Sequence, residues 1–232
     1  MTLEDDVPHR YPEETAAHGR LWARPRAGGV RGSGAAGRSR VGSAHLYVPD
    51  APLRRLVVLF HGAGGNAEQA LDLLLPHADA HGLALLAPKS VAGSWDVIAG
   101  GYGPDVNQLD EALEEVFATY DVAPGEVAVG GFSDGASYAL SLGIANGDLF
   151  DAIVAFAPGF TAPLVVHGRP RVLVTHGTRD AVLPVDRCGR RVVGQLRAAG
   201  YDVTYEEFDG PHTVPENLRE LAARWLTSGS SS

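Results

Sequence analysis

The stretch Glu126-Val127-Ala128-Val129-Gly130-Gly131-Phe132-Ser133-Asp134-Gly135-Ala136 decides how the chain is read. Its first half is a short apolar run bounded by a charge and a glycine, the pattern of a buried strand. Residues 136–145 that follow are small or apolar over a helical length. Between them Gly131-Phe132-Ser133-Asp134-Gly135 matches G-x-S-x-G. Alone the pattern is weak. Placed between a strand and a helix, it describes a sharp turn that lifts a serine hydroxyl clear of a sheet and aims it at the helix N-terminus. Gly131 and Gly135 remove side chains that would collide across such a turn, and Ala136 lets the helix come close to the strand.

Outward from this turn the chain alternates. Apolar runs at 56–60, 83–87, 127–129, 152–157 and 172–175, and an alternating run at 203–208, read as strands. Residues 67–80, 105–120, 185–199 and 215–226 carry apolar positions at helical spacing, with Asp105 a candidate N-cap and Pro215 near a first turn. This alternation predicts an α/β fold: one domain, a mostly parallel sheet and helices on both faces. Residues 1–18 read as a flexible arm, 19–226 as the domain and 227–232 as a frayed tail. The Gly- and Arg-rich stretch 26–40 reads as a solvated loop between short extended pieces at 21–24 and 44–48.

Composition narrows the function classes. The 232 residues hold 19 Lys+Arg against 28 Asp+Glu, a net charge of −9, which argues against nucleic-acid or anionic-membrane partners. Cys188 is the one cysteine, so no intrachain disulfide and no cysteine zinc site can form. The acidic opening Met1-Thr2-Leu3-Glu4-Asp5-Asp6 does not read as a signal peptide, and no apolar run approaches the ~18 residues of a membrane span. The expectation is a cytoplasmic protein with no integral membrane segment, no metal and no cofactor. A homodimer stays open.

A serine hydroxyl needs a base to act as a nucleophile. Among nine histidines His212 is the best candidate, in Asp209-Gly210-Pro211-His212-Thr213 between the last strand and the last helix. An orienting acid is then sought between 133 and 212, after a strand. Asp180 in His176-Gly177-Thr178-Arg179-Asp180 fits, with Asp209 the weaker alternative. An oxyanion hole needs two backbone amides. Asp134 follows the serine, and His61-Gly62-Ala63-Gly64-Gly65 follows the strand at 56–60. Ala63 is the chosen second donor, Gly64 the next, and His61 and His176 read as bracing histidines. Gly62-Ala63-Gly64-Gly65-Asn66-Ala67 also fits a dinucleotide loop, but the strand at 83–87 ends in Pro88-Lys89 where that loop would want an acid.

With these residues placed, the chain resembles the phospholipase/carboxylesterase family of serine α/β-hydrolases over roughly residues 54–226. The likeness rests on His61-Gly62-Ala63-Gly64-Gly65, Trp95-Asp96, Gly130-Gly131-Phe132-Ser133-Asp134-Gly135-Ala136, His176-Gly177-Thr178-Arg179-Asp180 and Gly210-Pro211-His212. It implies Ser133 as nucleophile, Asp180 as acid, His212 as base, and the amides of Ala63 and Asp134 as oxyanion donors. Asp134 departs from the Gln that many members carry there, and residues 1–43 exceed the compact members. The short 158–170 segment leaves no room for a large cap domain, so an open site is expected. The expected substrate is a small-molecule carboxylic ester, short to medium acyl or aryl, with lysophospholipid open. An acyl thioesterase, a peptidase and a non-catalytic ligand-binding homologue are the alternatives. Trp95, Ile98, Tyr102, Phe160, Val182 and Leu183 are the candidate pocket residues. Cys188, beside Arg187, Arg190 and Arg191, is a candidate for a lowered thiol pKa, though a bystander is the plainer reading.

Overall fold

Residues buried on both sides make the centre of the molecule. β3 (Arg55–Phe60), β4 (Leu83–Ala87) and β6 (Ala152–Phe156) are buried along their whole length, as parallel strands covered on two faces must be. They are flanked by β1 (Gly37–Val41), β2 (Ala44–Val48), β5 (Val127–Phe132), β7 (Arg171–Gly177) and β8 (Val203–Phe208). The computed structural model describes residues 16–25 and 35–228. Its eight strands form one sheet in the order β1-β2-β4-β3-β5-β6-β7-β8. β2 pairs antiparallel with both β1 and β4, and every other pairing is parallel. The fold is an α/β sheet with helices on both faces.

Strand alternation sorts the core into two layers. Leu56, Val58 and Phe60 of β3 face α3 (Pro104–Thr119), α4 (Asp134–Ala145) and α5 (Gly189–Ala198). Val57 and Leu59 face α1 (Ala67–Leu71), α2 (Ala78–His81) and α6 (Glu216–Thr227). Residues 157–170 form no helix, so no helical cap rises there. Among the described residues no helix is long and apolar enough to cross a membrane.

Several sequence expectations are corrected. The helix expected at 67–80 is broken into α1, a 3₁₀ turn at Leu75–His77 and α2. Pro76 has no amide to donate to the carbonyl of Asp72, so the α-helical ladder cannot continue through it. Asp105 is not the cap of α3. Gly103 holds that place, and the Asp105 carboxylate instead accepts the amides of Val91 (2.8 Å) and Asp96 (2.8 Å). α5 starts four residues later than expected, because the amides of Arg187 and Cys188 both turn back to Pro184. Part of the stretch expected as a loop at 26–40 is strand: Gly37–Val41 hairpins onto β2 through Gly42, which takes a φ of 55°. Residues 26–34 of that stretch, 1–15 of the expected arm and 229–232 of the expected tail lie outside the described residues.

The extended piece at 21–24 joins no sheet. Buried side chains hold it instead. Asn146 accepts the Leu21 amide (2.8 Å) and donates to the carbonyls of Gly19 (2.7 Å) and Leu142 (2.9 Å). Asp110 accepts the amides of Trp22 (2.8 Å) and Ala23 (2.9 Å). Leu21 and Ala23 are thereby buried. Asn146→Ala would orphan a buried amide and a buried carbonyl at 19–21. It is expected to cost about 2 kcal/mol in urea unfolding and to raise hydrogen exchange at Leu21. Unchanged exchange there would show that this contact does not hold the segment.

Candidate active site

Ser133 sits between β5 and α4 with φ 59° and ψ −120°, one of two non-glycine residues with positive φ among those described. Such a backbone persists only where its surroundings force it. Here the forcing is steric. A Cβ on Gly135 would lie 2.3 Å from the Phe60 carbonyl oxygen, and one on Gly131 would lie 2.5 Å from the Gly135 backbone. The Ser133 amide donates to Phe156 of the next strand (2.9 Å), which ties the turn to the sheet.

The loops after β7 and β8 are zipped together by main-chain bonds. Thr178 donates to Phe208 (2.9 Å) and Arg179 to Gly210 (3.0 Å). Gly177 makes this approach possible, since a Cβ there would be 2.4 Å from the Gly210 carbonyl oxygen. The zip brings Asp180 and His212 together, with Asp180 Oδ2 2.5 Å from His212 Nδ1 and His212 Nε2 2.9 Å from Ser133 Oγ. The His212 ring packs on Phe132, centroids 4.7 Å apart.

The Asp180 side chain is fully buried. Burial pushes its carboxyl up, but the Leu183 amide, His212 and the Val182 amide outweigh it, and the group is held below the usual carboxylate range. Oδ1 accepts the amides of Val182 (2.9 Å) and Leu183 (2.8 Å). An ionised Oδ2 can only accept, so Nδ1 of His212 carries the proton and Nε2 is free to accept from Ser133. Asp209, the weaker candidate acid, is exposed and paired with Arg179 at 2.9 Å.

His61 and His176 brace the site. Burial lowers the pKa of both, so each is neutral near pH 7. His61 Nε2 accepts the Ser90 amide (3.2 Å), its Nδ1 lies 2.8 Å from the Gly62 carbonyl oxygen, and its own carbonyl accepts the Trp95 indole (2.8 Å). His176 Nε2 lies 2.7 Å from the Leu183 carbonyl oxygen, beside Asp180. Of the two candidate loop donors, Gly64 has its amide committed to Gly93 (2.7 Å), whereas the Ala63 amide has no backbone acceptor among the described residues. The Asp134 amide is the first of α4 and so has no helical acceptor. Its carboxylate accepts the Ser94 hydroxyl (2.7 Å).

The six candidate pocket residues fall elsewhere. Trp95 is buried, stacked on Tyr138 at 4.9 Å, and Tyr102 is buried nearby. Asp96 does the bracing weighed for the Trp95-Asp96 pair, accepting the amides of Gly103 (2.8 Å) and Asp105 (3.2 Å). Phe160 and Leu183 are partly buried, and Gly159 packs near Leu183. Ile98 and Val182 are exposed. None of the six lines the cavity of about 380 Å³ that opens beside His212. That cavity is lined by Ala63, Gln69, Asp72, Phe132, Val214 and Arg219 among others. Sequence reasoning missed Asp72 and Arg219, which carry no motif and meet only through packing of α6 against α2 and the 3₁₀ turn before it. Burial pushes the Cys188 thiol up, in line with the bystander reading and against the candidate lowering by its arginines. Arg190 is occupied by Glu207 and Asp186.

No family model matches the chain. It is 31% identical over 166 residues to a protein named "Putative esterase NocK" from Nocardia uniformis subsp. tsuyamanensis, covering 65% of this chain and 48% of that protein. It is 26% identical over 113 residues to "Acyl-protein thioesterase 1" from Gibberella zeae, covering 44% of this chain and again 48% of the relative. The chain thus spans about half the length of these curated relatives. Among solved structures it superposes on esterase PE8 with a TM-score of 0.65 and 23% identity, over 78% of this chain and 95% of the other. For the phospholipase/carboxylesterase of Dyadobacter fermentans DSM 18053 the values are 0.60 and 24%, over 83% and 98%. The fold is the α/β-hydrolase fold of esterases and thioesterases, in a single domain.

His61 and His176 give the fold a pH dependence. Each has a folded pKa below its usual 6.5, so the unfolded chain binds more protons once the pH drops below about 6.5. Stability is complete above that value and falls as pH descends toward the folded pKa values. The urea midpoint is therefore expected to be lower at pH 5.5 than at pH 7.5. Equal midpoints would remove this contribution.

Proposed function

We propose that the chain is a serine hydrolase that cleaves carboxylic esters by acyl transfer. The observation that carries this reading is the hydrogen-bonded series Ser133–His212–Asp180, with heavy-atom separations of 2.9 and 2.5 Å. In the proposed reaction Ser133 Oγ attacks the ester carbonyl carbon and its proton passes to His212 Nε2. The amides of Ala63 and Asp134 hold the oxyanion. The bond to the alcohol oxygen breaks, and that oxygen takes the proton from Nε2. Water then attacks the acyl-enzyme, gives a proton to Nε2, and releases the acid as Ser133 regains its own. Asp180 holds the imidazole in the working tautomer and stabilises the imidazolium.

The likeness to esterases and thioesterases of this fold supports the class. The absence of a helical cap supports an open site for small esters, short to medium acyl or aryl. The acyl-thioesterase reading draws on the same relatives and is separated from it by kcat/KM on matched ester and thioester substrates.

Treating the protein with a fluorophosphonate and reading its intact mass tests the mechanism. One adduct per chain is expected, absent in Ser133→Ala. Asp180→Asn should lower kcat by on the order of 10⁴, as loss of the orienting acid does in a serine-protease triad. An unlabelled, well-folded wild type would overturn the reading.

A further inference from the structure

We infer that the cavity beside His212 selects esters whose alcohol portion carries an anionic group, and that Arg219 is the residue that binds it. This rests on the acyl-transfer reading above. His212 Nε2 would protonate the departing oxygen, and His212 and Ala63 both line this cavity, so the alcohol side of the substrate opens into it. Its volume of about 380 Å³ suits a small aromatic or branched group.

Arg219 is fixed in place before any ligand arrives. Its Nε donates to the Val214 carbonyl (3.1 Å) and its Nη1 to the Asp72 carbonyl (3.0 Å). The Asp72 carbonyl is available because Pro76, four residues on, has no amide to take it. No carboxylate lies within 4.0 Å of the guanidinium among the described residues, and Nη2 meets no protein acceptor there. A half-buried, immobilised guanidinium with an unused N–H edge is suited to a carboxylate or a phosphate. The opposing features are the Asp72 carboxylate, exposed at the cavity's edge, and the Gln69 side chain, whose oxygen is committed to the Asn66 amide (3.1 Å). The apolar lining of Leu73, Phe132 and Val214 would hold the body of the group.

The test uses protection of Ser133 from fluorophosphonate, read by intact mass, so that it needs no known substrate. The protectants are 4-hydroxybenzoate, its methyl ester and phenyl phosphate. In wild type the anions should protect at about tenfold lower concentration than the neutral ester. The gap should close in Arg219→Gln and partly return in Arg219→Lys. The more effective anion separates carboxylate from phosphate. Equal protection by anion and ester, or a gap that survives Arg219→Gln, would overturn the inference while labelling itself leaves the acyl-transfer reading standing. An unlabelled wild type would overturn both. A second readout is kcat/KM for the acetyl esters of 4-hydroxybenzoate and of its methyl ester. Arg219→Gln should depress the first about tenfold more than the second, chiefly through KM. An equal fall in both would mean that Arg219 only holds the Val214 end of the His212 loop.

Discussion

The arrangement depends on how closely α4 comes to the end of β3. The Phe60 carbonyl oxygen occupies the space that a Cβ at Gly135 or Gly131 would need. With both positions stripped to glycine, the chain can leave β5, turn within one residue and start a helix. That residue is Ser133, and its positive φ is the cost of the turn, of order 1–3 kcal/mol. The surrounding sheet supplies the compensation through the Phe156 carbonyl and through a helix whose inner face is buried. Replacing either glycine would therefore move more than a loop. It would push α4 off the sheet and take Ser133 with it.

This constraint explains why so much of the molecule was legible in its sequence. A glycine required by backbone contact leaves a trace at a fixed offset from the serine. A strand covered on both faces leaves an unbroken apolar run such as 83–87, and the half-exposed edge strand leaves the alternating run 203–208; their bounds coincide with β4 and β8. Asp180 and His212 were found because each follows such a run. What escaped was set by contacts distant in sequence. The 21–24 segment looks like a strand, but Asn146 and Asp110 hold its amides from more than eighty residues away. The strand at Gly37–Val41 is polar because its register places it at the sheet's edge, and polarity there reads as loop. Trp95 and Tyr102 lie in a Gly-rich loop at the proper end of the sheet, yet they pack inward on Tyr138. Composition cannot tell an aromatic that lines a pocket from one that closes a core.

Arg219 and Asp72 illustrate the same limit in the cavity. Neither belongs to a motif, and their meeting depends on a helix break at Pro76 and on the docking of α6 against α2 and the 3₁₀ turn. Local rules identify the break, but only the packed molecule reveals which side chain takes the carbonyl it leaves.

The loops after β4 and β7 share one device. Asp180 and Asp105, both buried, and the half-buried Asp96 are carboxyl groups that accept main-chain amides from their own loops. None pairs with a Lys or Arg among the described residues. A salt bridge would bring a long, rotatable cation beside Ser133, and its charge would compete with the imidazolium that the proposed mechanism needs. Amide donors stabilise a carboxylate without adding a mobile charge, and they fix the backbone of the loop in the same act. At Asp180 these donors keep the group ionised despite full burial of its side chain. The remaining oxygen then has one charged task, to hold His212. Asp96 lacks that balance. Burial raises its pKa and one of its oxygens has no hydrogen-bond partner among the described residues, while the other braces the 91–105 loop through the amides of Gly103 and Asp105. Ser133 is thus served by one loop that holds a negative charge against a single histidine, while the 91–105 loop is fixed by carboxyl groups turned to its own amides.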